Sequence, residues 1–355
     1  MATNRHGRTT VCCGNPLGDP IGGDAGLMTG WLISRCCVLV SLGLVLALPA
    51  GLPAPAGDAA TVHARTTAAG DAPARSGPRV RCVARSHSND ARTTRMAHAI
   101  DAQLAGRLST VGLKETDTGT GITCTYQATW HFYAASAIKA TILAALLRKA
   151  QEQHGKLTAS QRRLAWLMIT QSDNDAATAL WDDVGFSRMQ HFLNLAKMTQ
   201  TRLAHAWGLS LLTAHDEVLL LRLLSGPNRI LSEASRVYAQ YLMSHVIASQ
   251  RWGVPAGAPA SVKVDVKNGW LPYPVSSGWE INSIGFFTSR HPQRVYIIAM
   301  LTHANPSMSY GIETIEDVAR VIHRRLNPGQ RSVIGESLPS PSWGIPDEPI
   351  PPSNG

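Results

Sequence analysis

The sequence lacks the features of a membrane-spanning, metal-binding or nucleic-acid-binding protein. Its longest apolar run, Cys36 to Ala50, is shorter than the roughly 20 residues that a transmembrane helix needs. The 13 histidines contain no H-x-x-x-H pair of the kind that holds zinc, and the basic residues form no run or aromatic-interleaved patch. We therefore expect no cofactor, no metal ion and no nucleic-acid partner.

The first 64 residues have the pattern of a leader that is removed, not of a folded domain. Residues 1–27 are glycine-rich and without periodicity, and the apolar run follows Arg35. Small-residue cleavage candidates occur at Ala54-Pro-Ala56 and Val62-His-Ala64. The pattern predicts a secretory signal peptide with an over-long start. The protein would then be secreted or associated with the cell wall, without a stable membrane span after cleavage; an uncleaved anchor is the alternative.

Cysteine is scarce in the part that would remain after cleavage. Of the six cysteines, four fall within the leader: Cys12, Cys13, Cys36 and Cys37. Cys82 and Cys124 remain, an even pair in an exported domain. Because disulfides persist in oxidising compartments, we predict a Cys82–Cys124 disulfide; two separately buried thiols are the alternative.

Basic and acidic residues balance within the leader, so the whole net charge of +9 lies on the rest of the chain. A basic exported protein can associate with anionic cell-wall polymers, which are candidate partners, although most of this charge is that of an ordinary solvated surface. We expect a monomer.

Apart from the leader, the chain divides into a flexible arm (65–88, becoming ordered near Cys82), a domain (89–326) and a disordered Pro/Ser-rich tail (327–355). Helical patterns occupy about 140–250, between strand patterns at Val111–Glu115, Ile122–Gln127, Val262–Val266, Glu280–Thr288 and Val295–Thr302. This order predicts an α+β fold, with an antiparallel sheet flanked by helices and an all-helical subdomain. We interpret Asp216 and Glu217 as surface or cap residues, and five tryptophans as core: Trp166, Trp181, Trp207, Trp252 and Trp279.

Ser136 and Lys139 stand three positions apart at the start of a strong helix pattern that runs to Ala150. Residues at this spacing share one face of a helix. A buried ammonium tends to release its proton, and the resulting amine can accept the proton of a serine hydroxyl. The pair is therefore a candidate activated nucleophile, although an N-cap serine beside a solvated lysine has the same spacing.

Two later motifs change the interpretation of this pair. Ser172-Asp-Asn174 follows a predicted helix, and Lys267-Asn-Gly269 closes the predicted strand Val262–Val266. Each alone could be a simple helix stop or strand-ending turn. The order S-x-x-K, S-D-N and K-[TS]-G, however, is the signature of class A β-lactamases and penicillin-binding proteins. From about Asp90 to about Leu326 the chain resembles the penicillin-recognising serine hydrolases, most closely the class A β-lactamase-like proteins of high-GC Gram-positive bacteria.

The resemblance implies a role for each motif residue. Ser136 would be the nucleophile and Lys139 its base or proton relay. Ser172 would carry a proton to the leaving nitrogen, and Asn174 would hold both the lysine and a substrate amide. Lys267 would supply positive charge for a substrate carboxylate.

The third motif would also line the substrate site, through Asn268, Gly269 and Trp270. Gly269 would let a ligand approach the strand backbone closely. The backbone N–H groups of Ser136 and Trp270 would form an oxyanion hole.

The chain departs from the class A pattern at two points. Residues 175–212 contain no glutamate, whereas class A β-lactamases carry one in this interval that holds the deacylating water. Asn268 replaces the usual Thr or Ser. We therefore expect acylation of Ser136 by β-lactams or related amides and esters, followed by slow deacylation. A peptidoglycan D,D-peptidase or esterase on the same fold, and a non-catalytic cell-wall or drug-binding module, are the alternatives.

Overall fold

The computed structural model describes residues 79–86, 90–272, 278–290 and 293–331. The predicted leader, most of the predicted arm and the tail beyond Arg331 lie outside these ranges. Within the described ranges, no helix combines the length and the apolar character that crossing a bilayer would demand.

Two antiparallel sheets organise the domain. Their strands are β1 (Arg81–Val83), β2 (Thr110–Asp117), β3 (Thr123–Tyr126), β4 (Phe132–Tyr133), β5 (Leu211–Leu212), β6 (Val262–Pro272), β7 (Trp279–Arg290) and β8 (Gln293–Asn305). The larger sheet has the order β1-β3-β2-β8-β7-β6, and β4 pairs with β5. The early and late strands meet where β2 pairs with β8, with Leu113 opposite Met300. The predicted α+β fold with an antiparallel sheet is confirmed.

Eight α-helices cover the sheet or form the helical part. They are α1 (Asp90–Leu104), α2 (Lys139–Glu152), α3 (Ala159–Trp166), α4 (Asn174–Val184), α5 (Phe186–Ala196), α6 (Ala214–Ser225), α7 (Glu233–Ser244) and α8 (Met308–Leu326), counted over the described residues. Helices α1 and α8 pack together beside the sheet, and α2 contacts α4, α5 and α7. The first nine residues of α2, from Lys139 to Leu147, are all buried. Helix α2, which directly follows Ser136, is therefore the central helix of the helical part.

Helix starts follow local rules. Thr158 accepts a hydrogen bond from the Gln161 backbone while the Gln161 side chain accepts one from the Thr158 backbone, and the two bonds form a capping box at the start of α3. Thr213 caps α6 through the Asp216 backbone. Trp181, Trp207 and Trp252 are buried as predicted, while Trp166 and Trp279 are half-buried against the core.

Three boundaries differ from the sequence prediction. Lys267-Asn-Gly269 does not close a strand, because β6 continues to Pro272 and Gly269 pairs with Asn282 within the ladder. Arg81–Val83, in the predicted arm, is an ordered strand of the larger sheet. Asn327, in the predicted tail, is buried, and its side-chain amide donates to the carbonyl oxygen of His323.

Cys82 and Cys124 are opposite each other in the β1–β3 pair. Their sulfur atoms lie 2.03 Å apart, which is the arrangement that the predicted disulfide requires. Because β3 also pairs with β2, this link would attach the first strand firmly to the sheet.

Candidate active site

Ser136 lies in a 3₁₀ turn, Ala135–Ile138, that leads directly into α2. The residue before it, Ala135, has a φ of +44°, a left-handed conformation that costs free energy for any residue with a side chain. The Ser136 side chain is partly exposed, whereas Lys139 is fully buried. The turn thus exposes the predicted nucleophile and places the predicted base beneath it.

Two elements hold this strained turn from either side. The Asn282 amide of β7 donates to the carbonyl oxygens of Tyr133 (2.8 Å) and Ala134 (3.1 Å). On the other side, the Ala134 N–H donates to the carbonyl oxygen of Ser210 at 2.8 Å. Because surrounding bonds must fix a strained backbone, Asn282 and Ser210 position the nucleophile.

Ser172 occupies a second unusual piece of backbone. Helix α3 ends in a π-helical turn, Leu167–Gln171, and Ser172 follows with a φ of +60°. Asp173 then caps α4, its carboxylate accepting the Ala176 N–H at 2.7 Å. Turns of this kind often occur at functional sites, and this one presents both the carbonyl and the hydroxyl of Ser172 to Lys139.

Lys139 donates three hydrogen bonds. Its Nζ lies 2.6 Å from the Ser172 carbonyl oxygen, 2.7 Å from Asn174 Oδ1 and 3.3 Å from Ser172 Oγ. Burial, followed by the nearby charge of Lys267, lowers the Lys139 pKa well below its ordinary value, while Asp173 opposes this shift. The lowered pKa brings the amine closer to the neutral form that a general base needs, while the three acceptor oxygens favour the ammonium.

Lys267 approaches Ser172 from β6. Its Nζ donates to Ser172 Oγ at 2.9 Å and to the Asn268 carbonyl oxygen at 2.8 Å. Burial lowers the Lys267 pKa from 10.5 to about 7. Two amines thus meet at one hydroxyl, which joins all three sequence motifs at a single point.

Ser136 and Lys139 share the first turn of this site, but no hydrogen bond among the described residues connects Ser136 Oγ to Lys139 Nζ. Such catalytic contacts are often long in unliganded enzymes and tighten with substrate. Proton transfer between the two side chains stays a prediction.

Gly269 brings the β6 backbone against the nucleophile turn. A Cβ atom at this position would come within 2.6 Å of the Ala137 nitrogen and 2.9 Å of the Ser136 nitrogen. A side chain cannot be accommodated there, so the glycine permits close approach. The next residue, Trp270, is half-buried, with its ring centroid 6.0 Å from that of Trp252. The predicted oxyanion hole would lie along this contact between strand and turn.

Asn268 has a different environment from the one that the motif predicts. Its side chain is fully buried and its amide donates to the carbonyl oxygens of Gln250 and Trp252, both at 2.9 Å. Successive side chains of a strand point to opposite faces, so Asn268 faces away from the side that carries Lys267. The geometry does not support substrate binding by this side chain. Instead it holds a segment whose Gln250 amide donates to the Gln171 carbonyl, just before Ser172.

Asp216 and Glu217, which were expected to be surface or cap residues, lie in the first turn of α6 at the Thr213 cap, but both are fully buried and not on the surface. The Asp216 carboxylate accepts hydrogen bonds from the backbone of Gln200 (2.9 Å) and from the backbone (2.7 Å) and hydroxyl (2.9 Å) of Thr201. It thereby closes the base of the loop between Arg202 and Leu211. Burial, followed by the Asp216 charge, raises the pKa of Glu217 well above its usual value.

Comparison with known proteins agrees with this geometry. Residues 155–326 match a sequence family described as the beta-lactamase enzyme family, a range that includes Ser172 and Lys267 and begins after Lys139. Over these residues the chain is similar to that family. It has the fold of the penicillin-recognising serine hydrolases, and no curated protein sequence gives a significant match to it.

Several solved structures share the fold of this chain at low sequence identity. A class A beta-lactamase from Bacteroides cellulosilyticus is 18% identical with a TM-score of 0.58, covering 66% of this chain and 98% of its own. A beta-lactamase from Streptosporangium roseum is 21% identical with a TM-score of 0.56, covering 66% and 98%. A mutant of PBP-A, determined as an acyl-enzyme complex with penicillin G, is 20% identical with a TM-score of 0.56, covering 66% and 96%.

Proposed function

We propose that this β-lactamase-like protein is an exported serine hydrolase that becomes acylated on Ser136 by β-lactams or related amides and esters. The observation that carries the proposal is the meeting of Lys139 and Lys267 at the Ser172 hydroxyl, at 3.3 and 2.9 Å. Two buried amines around one hydroxyl are costly for stability, and sites of this kind are characteristic of proton transfer.

Acylation would form a bond between Ser136 Oγ and the substrate carbonyl carbon. Lys139 would accept the Ser136 proton, and the negative oxygen would be stabilised by the N–H groups of Ser136 and Trp270. The carbonyl carbon–nitrogen bond would then break as Ser172 gives its proton to the leaving nitrogen. Lys139 would return its proton to Ser172 across the contact that joins them.

Slow deacylation follows from the groups around Lys139. Its hydrogen-bond partners are Ser172 and Asn174, and the ring of Trp207 lies 4.9 Å from its Nζ. No carboxylate among the described residues forms a hydrogen bond with either Lys139 or the Ser172 hydroxyl. Among the described residues, this cluster therefore lacks a counterpart of the carboxylate that holds the deacylating water in class A β-lactamases.

Intact mass analysis after incubation with penicillin tests the nucleophile. We expect one covalent adduct on the wild type and none on Ser136→Ala. Ser187→Ala, at an exposed serine of α5, is the matched control and should keep the adduct. A wild type without adduct, or an equal adduct on Ser136→Ala, would overturn the assignment.

The time course of penicillin hydrolysis tests the deacylation step. We expect a burst equal to the enzyme concentration and then slow turnover. Fast steady-state hydrolysis without a burst would contradict it.

A D,D-peptidase on the same fold is the second candidate, and it is favoured because no carboxylate among the described residues is hydrogen-bonded to Lys139. Release of D-alanine from a muropeptide, faster than penicillin turnover, would support this substrate. Tight reversible binding without any covalent species would instead indicate a binding module.

A further inference from the structure

The loop between Arg202 and Leu211 contacts Lys139 through an aromatic ring. The Trp207 ring centroid lies 4.9 Å from Lys139 Nζ, inside the roughly 6 Å range of cation–π attraction. Trp207 is 7% exposed, so little water screens this contact. The acceptor oxygens of Ser172 and Asn174, together with this indole face, surround the amine.

The ring is held in place by a bond of its own. Its Nε1–H donates to Thr178 Oγ1 of α4 at 3.1 Å. The loop is closed at its base by two backbone hydrogen bonds between Arg202 and Leu211, at 2.9 and 2.8 Å. At the C-terminal end of the loop, the Ser210 carbonyl oxygen accepts a hydrogen bond from the Ala134 N–H, just before the turn that carries Ser136. The loop therefore fixes the indole relative to both α4 and Ser136.

The charged groups that face Lys139 come from other elements. Lys267 on β6 lowers the proton affinity of Lys139, and Asp173 at the start of α4 raises it. Residues 203–210 include no carboxylate, and their titratable side chain, His205, stacks on Phe186 with ring centroids 5.1 Å apart. The indole face is thus the part of the loop that can act on the amine.

We propose that Trp207 is a positioning residue for Lys139, whose ring face stabilises the ammonium that forms when Lys139 takes the proton of Ser136. The inference rests on the proposed acylation of Ser136. The face of an indole is electron-rich, so it attracts the charged form of the amine more than the neutral form. Withdrawing electron density from the face of the ring should lower the proton affinity of Lys139 and make it a weaker base.

A fluorination series tests the electrostatic role, because its members differ from one another only in fluorine and keep nearly the same ring shape. Phenylalanine and its mono-, di- and trifluoro derivatives are placed at position 207, since each fluorine withdraws electrons from the ring face. The rate of Ser136 labelling by a fluorescent penicillin is measured from pH 5 to pH 10. The acidic limb of the profile is the range in which the rate rises with pH as Lys139 loses its proton. We expect this limb to move stepwise to lower pH, by about one pH unit over the series. The maximal rate above the limb should fall along the series, because Lys139 becomes a weaker base.

The same series at Phe186 is the matched control. Phe186 lies on α5 against His205 and Trp181, and its ring has no contact with Lys139 among the described residues. The acidic limb should stay fixed there. A limb that does not move in the series at 207, or that moves equally in both series, overturns the proposal.

Thr178→Val provides a second variant if Trp207→Phe does not fold. It removes the partner of the indole N–H and leaves the ring intact, so we expect a smaller shift of the acidic limb in the same direction. An unchanged profile for a folded Thr178→Val would then overturn the proposal. If the wild type forms no adduct on Ser136, the proposed function and this inference fail together. If the wild type is labelled but the acidic limb does not move in the series at position 207, only the role of Trp207 is refuted.

Discussion

Lys267 shows how the proposed function and the stability of the fold conflict at a single residue. Its amine is fully buried, donates to Ser172 and the Asn268 carbonyl, and has no carboxylate hydrogen-bond partner among the described residues. Its pKa falls from 10.5 to about 7 because burial disfavours the charged form. Between these two pH values the unfolded chain binds more protons than the folded one, so the stability of the wild type rises with pH.

Lys267→Met is expected to remove this pH dependence. Relative to the wild type, the variant should gain most unfolding free energy at or below pH 7. The gain should decline toward pH 10.5, by on the order of 5 kcal/mol at most. Ser136 acylation should fall in the same variant because Ser172 loses an N–H donor. Urea unfolding at pH 6, 8 and 10 measures the difference.

Lys156→Met is the matched control for Lys267→Met, since Lys156 is exposed. Its stability relative to the wild type should vary little over the same pH range. A constant difference between Lys267→Met and the wild type would show that burial does not perturb Lys267 as described.

The contact between β6 and the nucleophile turn leaves no room for a side chain at Gly269. We expect Gly269→Ala to displace the turn and slow Ser136 acylation by about 10²-fold, the scale of loss that a misplacement near 1 Å causes. Gly155→Ala is the control, since a Cβ there meets nothing closer than 3.7 Å. Equal acylation rates for the two variants would show that β6 does not position Ser136.

The loop base at Asp216 supports a third prediction. Asp216→Ala leaves the backbone donors of Gln200 and Thr201 without their acceptor, which should cost about 3 kcal/mol of unfolding free energy. Amide hydrogen exchange at 202–211 should accelerate more than elsewhere. Asp182→Ala, at an exposed position of α4, should change neither. Unchanged exchange in Asp216→Ala would mean that other contacts hold the loop.

Elements with local signals were predictable, and elements that depend on distant partners were not. The caps at Thr158 and Thr213 depend on residues three positions away, so the sequence reveals them. The continuation of β6 past Gly269 depends on pairing with Asn282, which no local pattern shows.

For the candidate site as well, residues with a local signal were predictable and residues that act from distant segments were not. The three motifs carry their chemistry in short spacings, and the structure brings Lys139, Ser172 and Lys267 together. Asn282 and Trp207 act across the fold from segments with no motif, so sequence reasoning assigned no site role to Asn282 and only a core position to Trp207. The one signal in the sequence for a site role of Trp207 is its place in residues 175–212, the interval in which class A β-lactamases carry a glutamate.

At the scale of the whole molecule, Cys82–Cys124 would join strands that are 42 positions apart. We expect Cys82→Ser to lower the unfolding free energy by about 4 kcal/mol, as the lost link frees a loop of this length in the unfolded chain. Non-reducing mass analysis of the exported wild type should find no free thiol on either cysteine. Two free thiols would refute the disulfide.

The pairing of β2 with β8 has a consequence for how the protein acquires activity. Strand β2 pairs with its neighbour β3 on one side, but on the other side its partner is the last strand, β8, with Thr110 opposite His303. Assembly by such remote pairings is slow, because a long stretch of chain must be ordered before they form. Lys267 lies on β6, which reaches β2 only through β7 and β8. A chain interrupted before β8 would therefore contain all three motifs and still be inert, and competence to react would arise only at the end of folding.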